Sequence, residues 1–217
     1  GALPAAPAAS PLPAMSALRA LREQVYASRV RCPHESTAAA MEEAIRAASE
    51  AKDSVGGIVE IRVFGLPAGV GEPVFEKLQA RLGRALLSVG AVKGVEFGLG
   101  FRFAELRGSQ SNDLFAAGTG GPMGGAVPAT NHAGGIAGGI STGQPVVVRA
   151  AVKPTASIGA VQQTVDVQGR PVALAVEGRH DPCIVLRIVP VLEHMTNLVL
   201  ADLIMVRHAA TAFPVGG

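Results

Sequence analysis

Residues 57–65 read GIVEIRVFG, and the alternation within them decides the fold class. Val59, Ile61 and Val63 fall on one side and Glu60 and Arg62 on the other, the two-residue period of a half-buried strand. Pro67 to Gly71 turns the chain, Pro73 suits the first turn of a helix, and Phe75, Leu78, Leu82, Ala85 and Val89 then form one stripe. Ala91–Phe97 follows as a second, β-rich strand. Helices and strands alternate without a βαβ phosphate fingerprint, so the pattern predicts an α+β fold rather than a doubly wound parallel sheet.

Working outward toward the N-terminus, Ser16–Tyr26 has weak helical periodicity through Leu18, Leu21 and Val25, ended by Cys32-Pro33. Ser36 or Thr37 is placed to cap a helix with a face of Ala40, Met41, Ala44, Ile45 and Ala48, ending near Lys52 before Gly56-Gly57. Gly1–Pro13 is an uncharged Ala/Pro run, which fits a targeting remnant, a linker or a chain cut upstream. Toward the C-terminus, Gly108–Gly143 holds eleven of the 27 glycines. Such density excludes a long regular element, because each glycine costs about 0.5–1 kcal/mol of extra backbone entropy there. It reads either as a disordered loop or, from the spacing GGIAGG at Gly134, Gly135, Gly138 and Gly139, as a backbone shaped to approach a ligand closely. Pro145–Val152 predicts a strand, and Val161–Val167 with Pro171–Val176 a hairpin turning at Gln168-Gly169. The apolar run Ile184–Val206 carries Arg187, Pro190, Glu193, His194 and Asp202. At about 2.5–3.5 kcal/mol for each charge at a bilayer centre, it reads as a buried core helix beginning near Pro190, not as a membrane span.

A formal net charge of +2 with 17% charged residues lacks the basic surface that nucleic-acid binding needs. Cys32 and Cys183 stand far apart with no CxxC or Cys/His spacing, which argues against a structural metal or a disulfide framework and for reduced thiols.

The chemistry concentrates between Lys153 and Asp181. Lys153, Thr155 and Ser157 place an ammonium and two hydroxyls within one turn after a strand, a set that can hold a phosphate, although a solvated polar loop accounts for the same residues. Arg179 can fork onto a carboxylate or phosphate, and Asp181 can carry a proton or pair with Arg179. His132, His180 and Cys183 read equally as core fillers or participants, and Glu42 and Glu43 as a solvated helix face.

In these residues the chain resembles the C-terminal half of the chorismate synthase family, from about Arg29 to about Ala209. The resemblance is carried by RVRCP, the block GGIVEIRVFGLPAGVGEPVFEKLQARLGRALLSVGAVKGVEFGLGF, RGSQSND, TNHAGGIAGGISTGQPVVVRAAVKPTASI, and GRHDPC leading into VPVLEHM. It implies a sandwich of helices and antiparallel sheets, present in part, with an unassigned segment at 1–28 and a tail at 210–217. The activity implied is a trans-1,4 elimination that converts 5-enolpyruvylshikimate 3-phosphate to chorismate and phosphate with reduced flavin mononucleotide (FMN). In bifunctional relatives NADPH is the source of reductant. The implied assembly is a homotetramer, with no nucleic acid or membrane partner, cytoplasmic or alternatively in the plastid stroma. The resemblance matches Gly90, Ala91 and Gly138 to loops that contact the flavin, and Lys153, Pro154, Thr155, Ala156 and Ser157 to the segment that holds it. Many relatives have Asn or Pro where Gly90 stands. Arg179 matches the junction of flavin and substrate, and Asp181 the aspartate that works with flavin N5 as a proton acceptor. The family's GESHG-type and RSSxRET-type motifs, its N-terminal phosphate arginines and two catalytic histidines do not occur here, so the resemblance predicts a fragment with little turnover alone. A noncatalytic remnant or partner subunit that keeps part of the flavin site is the alternative, and an unrelated nucleotide-binding protein a distant third.

Overall fold

The computed structural model describes residues 13–117 and 126–212 of the 217. The opening Ala/Pro run up to Leu12, the TGGPMGG stretch at 119–125 and the tail from Phe213 lie outside the described residues. In chain order the elements are α1 (Met15–Ala27), α2 (Glu35–Glu50), β1 (Gly57–Val63), α3 (Leu78–Leu87), β2 (Val92–Phe97), a 3-10 helix (Gly100–Glu105), α4 (Gly108–Ser111), β3 (Phe115–Ala117), β4 (Ala126–Pro128), β5 (Ile136–Ala137), β6 (Ile140–Ser141), β7 (Val146–Val152), β8 (Gln162–Val165), β9 (Pro171–Leu174) and α5 (Val185–Ala212). This is the mixed α+β class that the sequence predicts. The chain divides into two compact units, one formed by Val59–Ala150 with Pro190–Gly217 and the other by Pro13–Ile58 with Ala151–Val189.

The first unit is built on a three-stranded sheet of order β1-β7-β2. In β1 the predicted alternation holds: Val59 is buried, Ile61 and Val63 half-buried, and Glu60 pairs with Arg62 at 2.6 Å on the solvent side. In β7 every residue but Ala151 is buried, which makes it the central strand. Helix α3 covers the core with Leu78, Leu82 and Leu86, each fully buried, and full burial of a leucine contributes about 1.5–3 kcal/mol. The helix begins at Leu78, not at Pro73 as the periodicity suggests. Residues 72–77 form a separate turn, closed by Glu72 N–H donating to the Glu76 carbonyl at 3.1 Å, with Val74 at φ +53 and Phe75 exposed. The Leu78 N–H donates instead to the Gly139 carbonyl at 2.8 Å, a partner that no local pattern announces.

Residues 126–143 are ordered by side chains that clamp the backbone. Asp113 accepts from Thr130 Oγ1 (2.6 Å), His132 N–H (2.7 Å) and Ala133 N–H (2.9 Å). Buried Asn131 accepts from Gly135 N–H (2.7 Å) and donates to the Pro145 carbonyl (2.9 Å), while Ser141 Oγ accepts from Val70 N–H and donates to the Pro67 carbonyl. Two short antiparallel ladders, β3–β4 and β5–β6, result. Of the two readings of the glycine-rich region, disorder is therefore wrong for these residues. Gly98 (φ +56) and Gly134 (φ +65) cross so closely that a Cβ on Gly98 would overlap the His132 carbonyl and lie 2.6 Å from Gly134 N.

Two arginines brace this unit through ion pairs. Arg149, 8% exposed within β7, donates to Glu96 Oε1 (2.7 Å) and to the Gly98 carbonyl (2.6 Å). Arg81 joins Glu76 at 2.6 Å and Asp202 of α5.

Helix α5 starts at Val185, so Pro190 lies inside it rather than at its start. The Arg187 and Ile188 N–H groups already donate to the Ile184 carbonyl (3.0 and 3.2 Å), which establishes the first turn ahead of the proline. Pro190 cannot donate, and its own carbonyl takes a hydrogen bond from His194 Nδ1 at 2.6 Å. The helix is not the wholly buried core helix that its composition predicts: Leu192, Thr196, Leu200 and Leu203 are buried, whereas Val191, Leu198, Met205 and Val206 are exposed. It is the one helix among the described residues long and apolar enough to cross a membrane.

In the second unit the last turn of α1 carries Tyr26, over whose ring the Arg22 and Arg31 guanidinium carbons stand at 4.7 and 4.9 Å. Helix α2 begins one residue before the predicted cap, with His34 at the cap position and no side-chain cap. Its inward face is Met41, Ile45 and Ala48, while Ala40 and Ala44 are exposed. The predicted hairpin forms as β8–β9. Its turn is built by Asp166, which accepts from the Gln168 and Arg170 N–H groups and pairs with the Arg170 side chain at 2.6 Å. The Arg170 hydrogen bonds hold the Asp166 carboxyl below the ordinary aspartate range. Cys32 and Cys183 are free thiols.

Candidate functional site

Strand β7 ends at Val152 and delivers Lys153–Ser157 as a loop, because Pro154 cannot donate to a further ladder. Lys153, Pro154, Ala156 and Ser157 are exposed, and Thr155 is half-buried. A second segment, Arg179-His180-Asp181, lies between the β8–β9 hairpin and α5. What brings the two together is Ser54–Gly56. Ser54 Oγ donates to the Thr155 carbonyl at 2.6 Å, and Val55 N–H donates to the Pro182 carbonyl at 2.8 Å. At Gly56 a Cβ would overlap the Val152 carbonyl and stand 3.0 Å from Pro154 Cδ, so only a residue without a side chain passes there. Three consecutive residues thus tie the lysine loop to the Asp181 segment within the same unit. Sequence reasoning assigned no role to Ser54, Val55 or Gly56; the Gly56-Gly57 pair was the only local sign of a close approach.

The loop offers the kinds of group that an anion takes as partners. An ammonium and a hydroxyl are exposed at Lys153 and Ser157, and the Thr155 hydroxyl oxygen is buried with no hydrogen-bond partner. A buried polar group left so costs about 1–3 kcal/mol. Arg179 is exposed and makes no ion pair with Asp181; the cation on Asp181 is Arg187, at 3.1 Å. His180 is half-buried and anchored through Nε2 to the Val176 carbonyl at 2.8 Å, with the hydrogen on Nε2.

The remaining predicted residues belong to the first unit. Gly90 and Ala91 form the turn between α3 and β2, closed by Val92 N–H donating to the Val89 carbonyl at 3.2 Å. A Cβ on Gly90 meets nothing within 4 Å, so the position takes a side chain freely, whereas Ala91 sits at φ +71. Gly138 is exposed at the β5–β6 turn with nothing within 4 Å of its Cβ position. Gly134, Gly135 and Gly139 instead pack against Gly98, Pro145 and Lys77 of the same unit, so the paired spacing is mainly an internal packing device.

The Lys153–Ser157 loop at the end of β7 thus presents a cation and hydroxyls, tied to the segment that bears Asp181, on an α+β scaffold. The family model described as chorismate synthase matches residues 11–205. A chorismate synthase of Opitutus terrae is 52% identical over 191 residues, covering 88% of this chain and 51% of its own. One of Chloroflexus aurantiacus is 55% identical over 173 residues, covering 80% and 47%. A crystal structure of chorismate synthase matches with a TM-score of 0.69 at 28% identity, over 86% of this chain and 48% of that one. The chain belongs to the chorismate synthase family, and it spans about half the length of the curated relatives it matches.

Proposed function

We propose that this chain carries the flavin-phosphate end and the proton-accepting segment of a chorismate synthase site. The reaction served is the trans-1,4 elimination of phosphate and a ring proton from 5-enolpyruvylshikimate 3-phosphate, giving chorismate. The observation that carries the reading is the Ser54–Gly56 tie, which holds Lys153–Ser157 beside the segment bearing Asp181. Reduced FMN, when bound, supplies an electron transiently to the substrate and takes it back, so that the reaction has no net redox change. Lys153 Nζ and Ser157 Oγ, both exposed, bind its phosphate. Arg179 binds where flavin and substrate meet. Asp181, with Arg187 beside it at 3.1 Å, is the proton acceptor. Gly138 leaves a bare backbone for close approach, and the left-handed backbone at Ala91 is strain of the kind that collects at ligand-binding turns. Gly90-Ala91 is read as the flavin-contacting turn on that ground. A homotetramer and an NADPH-dependent supply of reduced flavin are part of the same reading. The matched relatives come from bacteria, which supports a cytoplasmic location.

Two outcomes follow for single residues. Lys153→Ala is expected to weaken reduced-FMN binding about tenfold or more, the loss of one charge-assisted hydrogen bond, measured by fluorescence titration under anaerobic conditions. Unchanged affinity contradicts the phosphate assignment. Ala91→Gly is expected to raise the urea midpoint slightly: relief of about 1–2 kcal/mol of left-handed strain outweighs the roughly 0.5–1 kcal/mol of added chain entropy. A lowered midpoint contradicts the strain.

The alternative, a remnant or partner subunit without catalysis, shares the same loop. It is distinguished by failure to bind FMN in either oxidation state.

A further inference from the structure

Helix α2 closes on a left-handed residue that carries a side chain. The Lys52 and Asp53 N–H groups turn back to the Ser49 and Ala48 carbonyls at 3.1 and 2.9 Å, the pair of hydrogen bonds that ends a helix through one left-handed position, and Lys52 occupies that position at φ +55. Glycine takes this backbone without strain, so a lysine here stands against the local preference. The lysine stem lies on the protein. A Cβ on Gly159 would meet Lys52 Cβ, Cδ and Cγ at 3.3, 3.7 and 3.8 Å, so three carbons of the stem run along Gly159. Gly159 is not among the glycines at positive φ, so its backbone does not require glycine; its missing side chain leaves open the track of the lysine. The Lys52 carbonyl in turn accepts from Ala160 N–H at 3.0 Å. With Ser54 Oγ donating to the Thr155 carbonyl at 2.6 Å, these contacts lay residues 52–54 along residues 155–160, all within the second unit. Asp53, between them, turns Oδ1 onto the Ser54 N–H at 2.7 Å.

A phosphate monoester carries about 1.5 to 2 negative charges at pH 7. Lys153 offers one positive charge at the start of the loop, and Ser157 only a hydroxyl. Gly159, along which the Lys52 stem runs, lies two residues beyond Ser157, a span of at most about 7 Å. A stem laid on the chain with the ammonium free at its end is how lysine delivers a charge to a neighbouring site. We infer that Lys52 is a second cation of the phosphate site proposed for Lys153–Ser157, supplied from the Ser157 end of the loop. The left-handed strain at Lys52 is kept for that charge. The inference rests on the flavin reading of the loop and adds to it a ligand from a different element. Helix α2 has no basic residue in its last turn, so Lys52 also meets the negative end of the helix dipole. That contribution stabilises the helix and leaves ligand affinity alone, which makes the two roles separable.

The test titrates the 217-residue chain and its Lys52→Gly, Lys52→Asn and Lys52→Arg variants with reduced FMN and with reduced riboflavin, which lacks the phosphate. Urea denaturation of each variant accompanies the titrations. Glycine and asparagine both accept left-handed backbone, so neither change disturbs the end of α2. Lys52→Gly and Lys52→Asn are expected to weaken FMN binding about fivefold or more, and Lys52→Arg to stay within about twofold of the parent chain. Riboflavin is expected to bind all four proteins alike, and the urea midpoint of Lys52→Gly to be no lower than the parent's, so that the lost affinity is not lost structure. The inference is overturned if Lys52→Gly and Lys52→Asn bind FMN as tightly as the parent chain, or if riboflavin is weakened as much as FMN. Where Lys153→Ala still impairs FMN binding in that case, the flavin reading stands and Lys52 is a helix terminus alone. Failure of the parent chain to bind FMN overturns the flavin reading and this inference with it.

Discussion

Gly98→Ala is expected to unfold the first unit at temperatures where the parent chain is stable. The new methyl would overlap the His132 carbonyl and crowd Gly134 N at 2.6 Å, and the atoms it meets belong to the backbone. That backbone is itself fixed, because Leu99 N–H donates to the His132 carbonyl (2.8 Å) and Gly98 N–H to the Val147 carbonyl (3.0 Å). Left-handed strain of about 1–2 kcal/mol adds to an overpacking cost of about 1–3 kcal/mol, and the sum is a large share of a typical domain's stability. Urea denaturation followed by circular dichroism checks this. A midpoint within error of the parent's contradicts the backbone crossing. Gly90→Ala, whose methyl meets open space, is the control that should change little.

Arg149→Ala is expected to cost roughly 3 kcal/mol. The guanidinium is buried, and its removal strands Glu96 Oε1 and the Gly98 carbonyl, both of which it satisfies. Glu96 keeps the Phe101 N–H at 3.1 Å, so the carboxylate is not left wholly bare. The double change Arg149→Met with Glu96→Gln is expected to recover part of the loss, because the charge no longer needs a partner. Additive losses in that double-mutant cycle contradict a direct pair.

These two residues also show where sequence reading stopped. The strand alternation at Val59, Ile61 and Val63 is a local property, and it was legible in nine residues. So was the α3 stripe at Leu78, Leu82 and Leu86. The start of α3 was not, because the Leu78 N–H finds its acceptor at Gly139, sixty-one residues away. The glycine-rich stretch left two readings open because composition reports only what glycine permits. The order comes from Asp113, Asn131 and Ser141 reaching across the chain, and none of these has a local signature. Pro190 read as a helix start, since proline favours a first turn. The turn ahead of it is held by Ile184, with Val185 and Ile188 buried beyond it.

The site divides in the same way. From sequence, Lys153, Thr155 and Ser157 after a β-rich run read as either an anion loop or a solvated polar loop, and the resemblance implies a flavin phosphate there. Their tie to the Asp181 segment was not legible, because Ser54 and Thr155 lie 101 residues apart in the chain. Adjacency in sequence leaves Asp181 either a proton carrier or a partner of Arg179. Helical geometry supplies Arg187 from α5 instead.

The central claim is that this chain by itself holds the phosphate end of a flavin. Equilibrium titration of the 217-residue chain with FMN, oxidised and reduced, with and without 5-enolpyruvylshikimate 3-phosphate, tests it most directly. Saturable binding of one FMN per chain in the reduced state, competed by inorganic phosphate, is the predicted result. No binding in either oxidation state, with substrate or without it, contradicts the account.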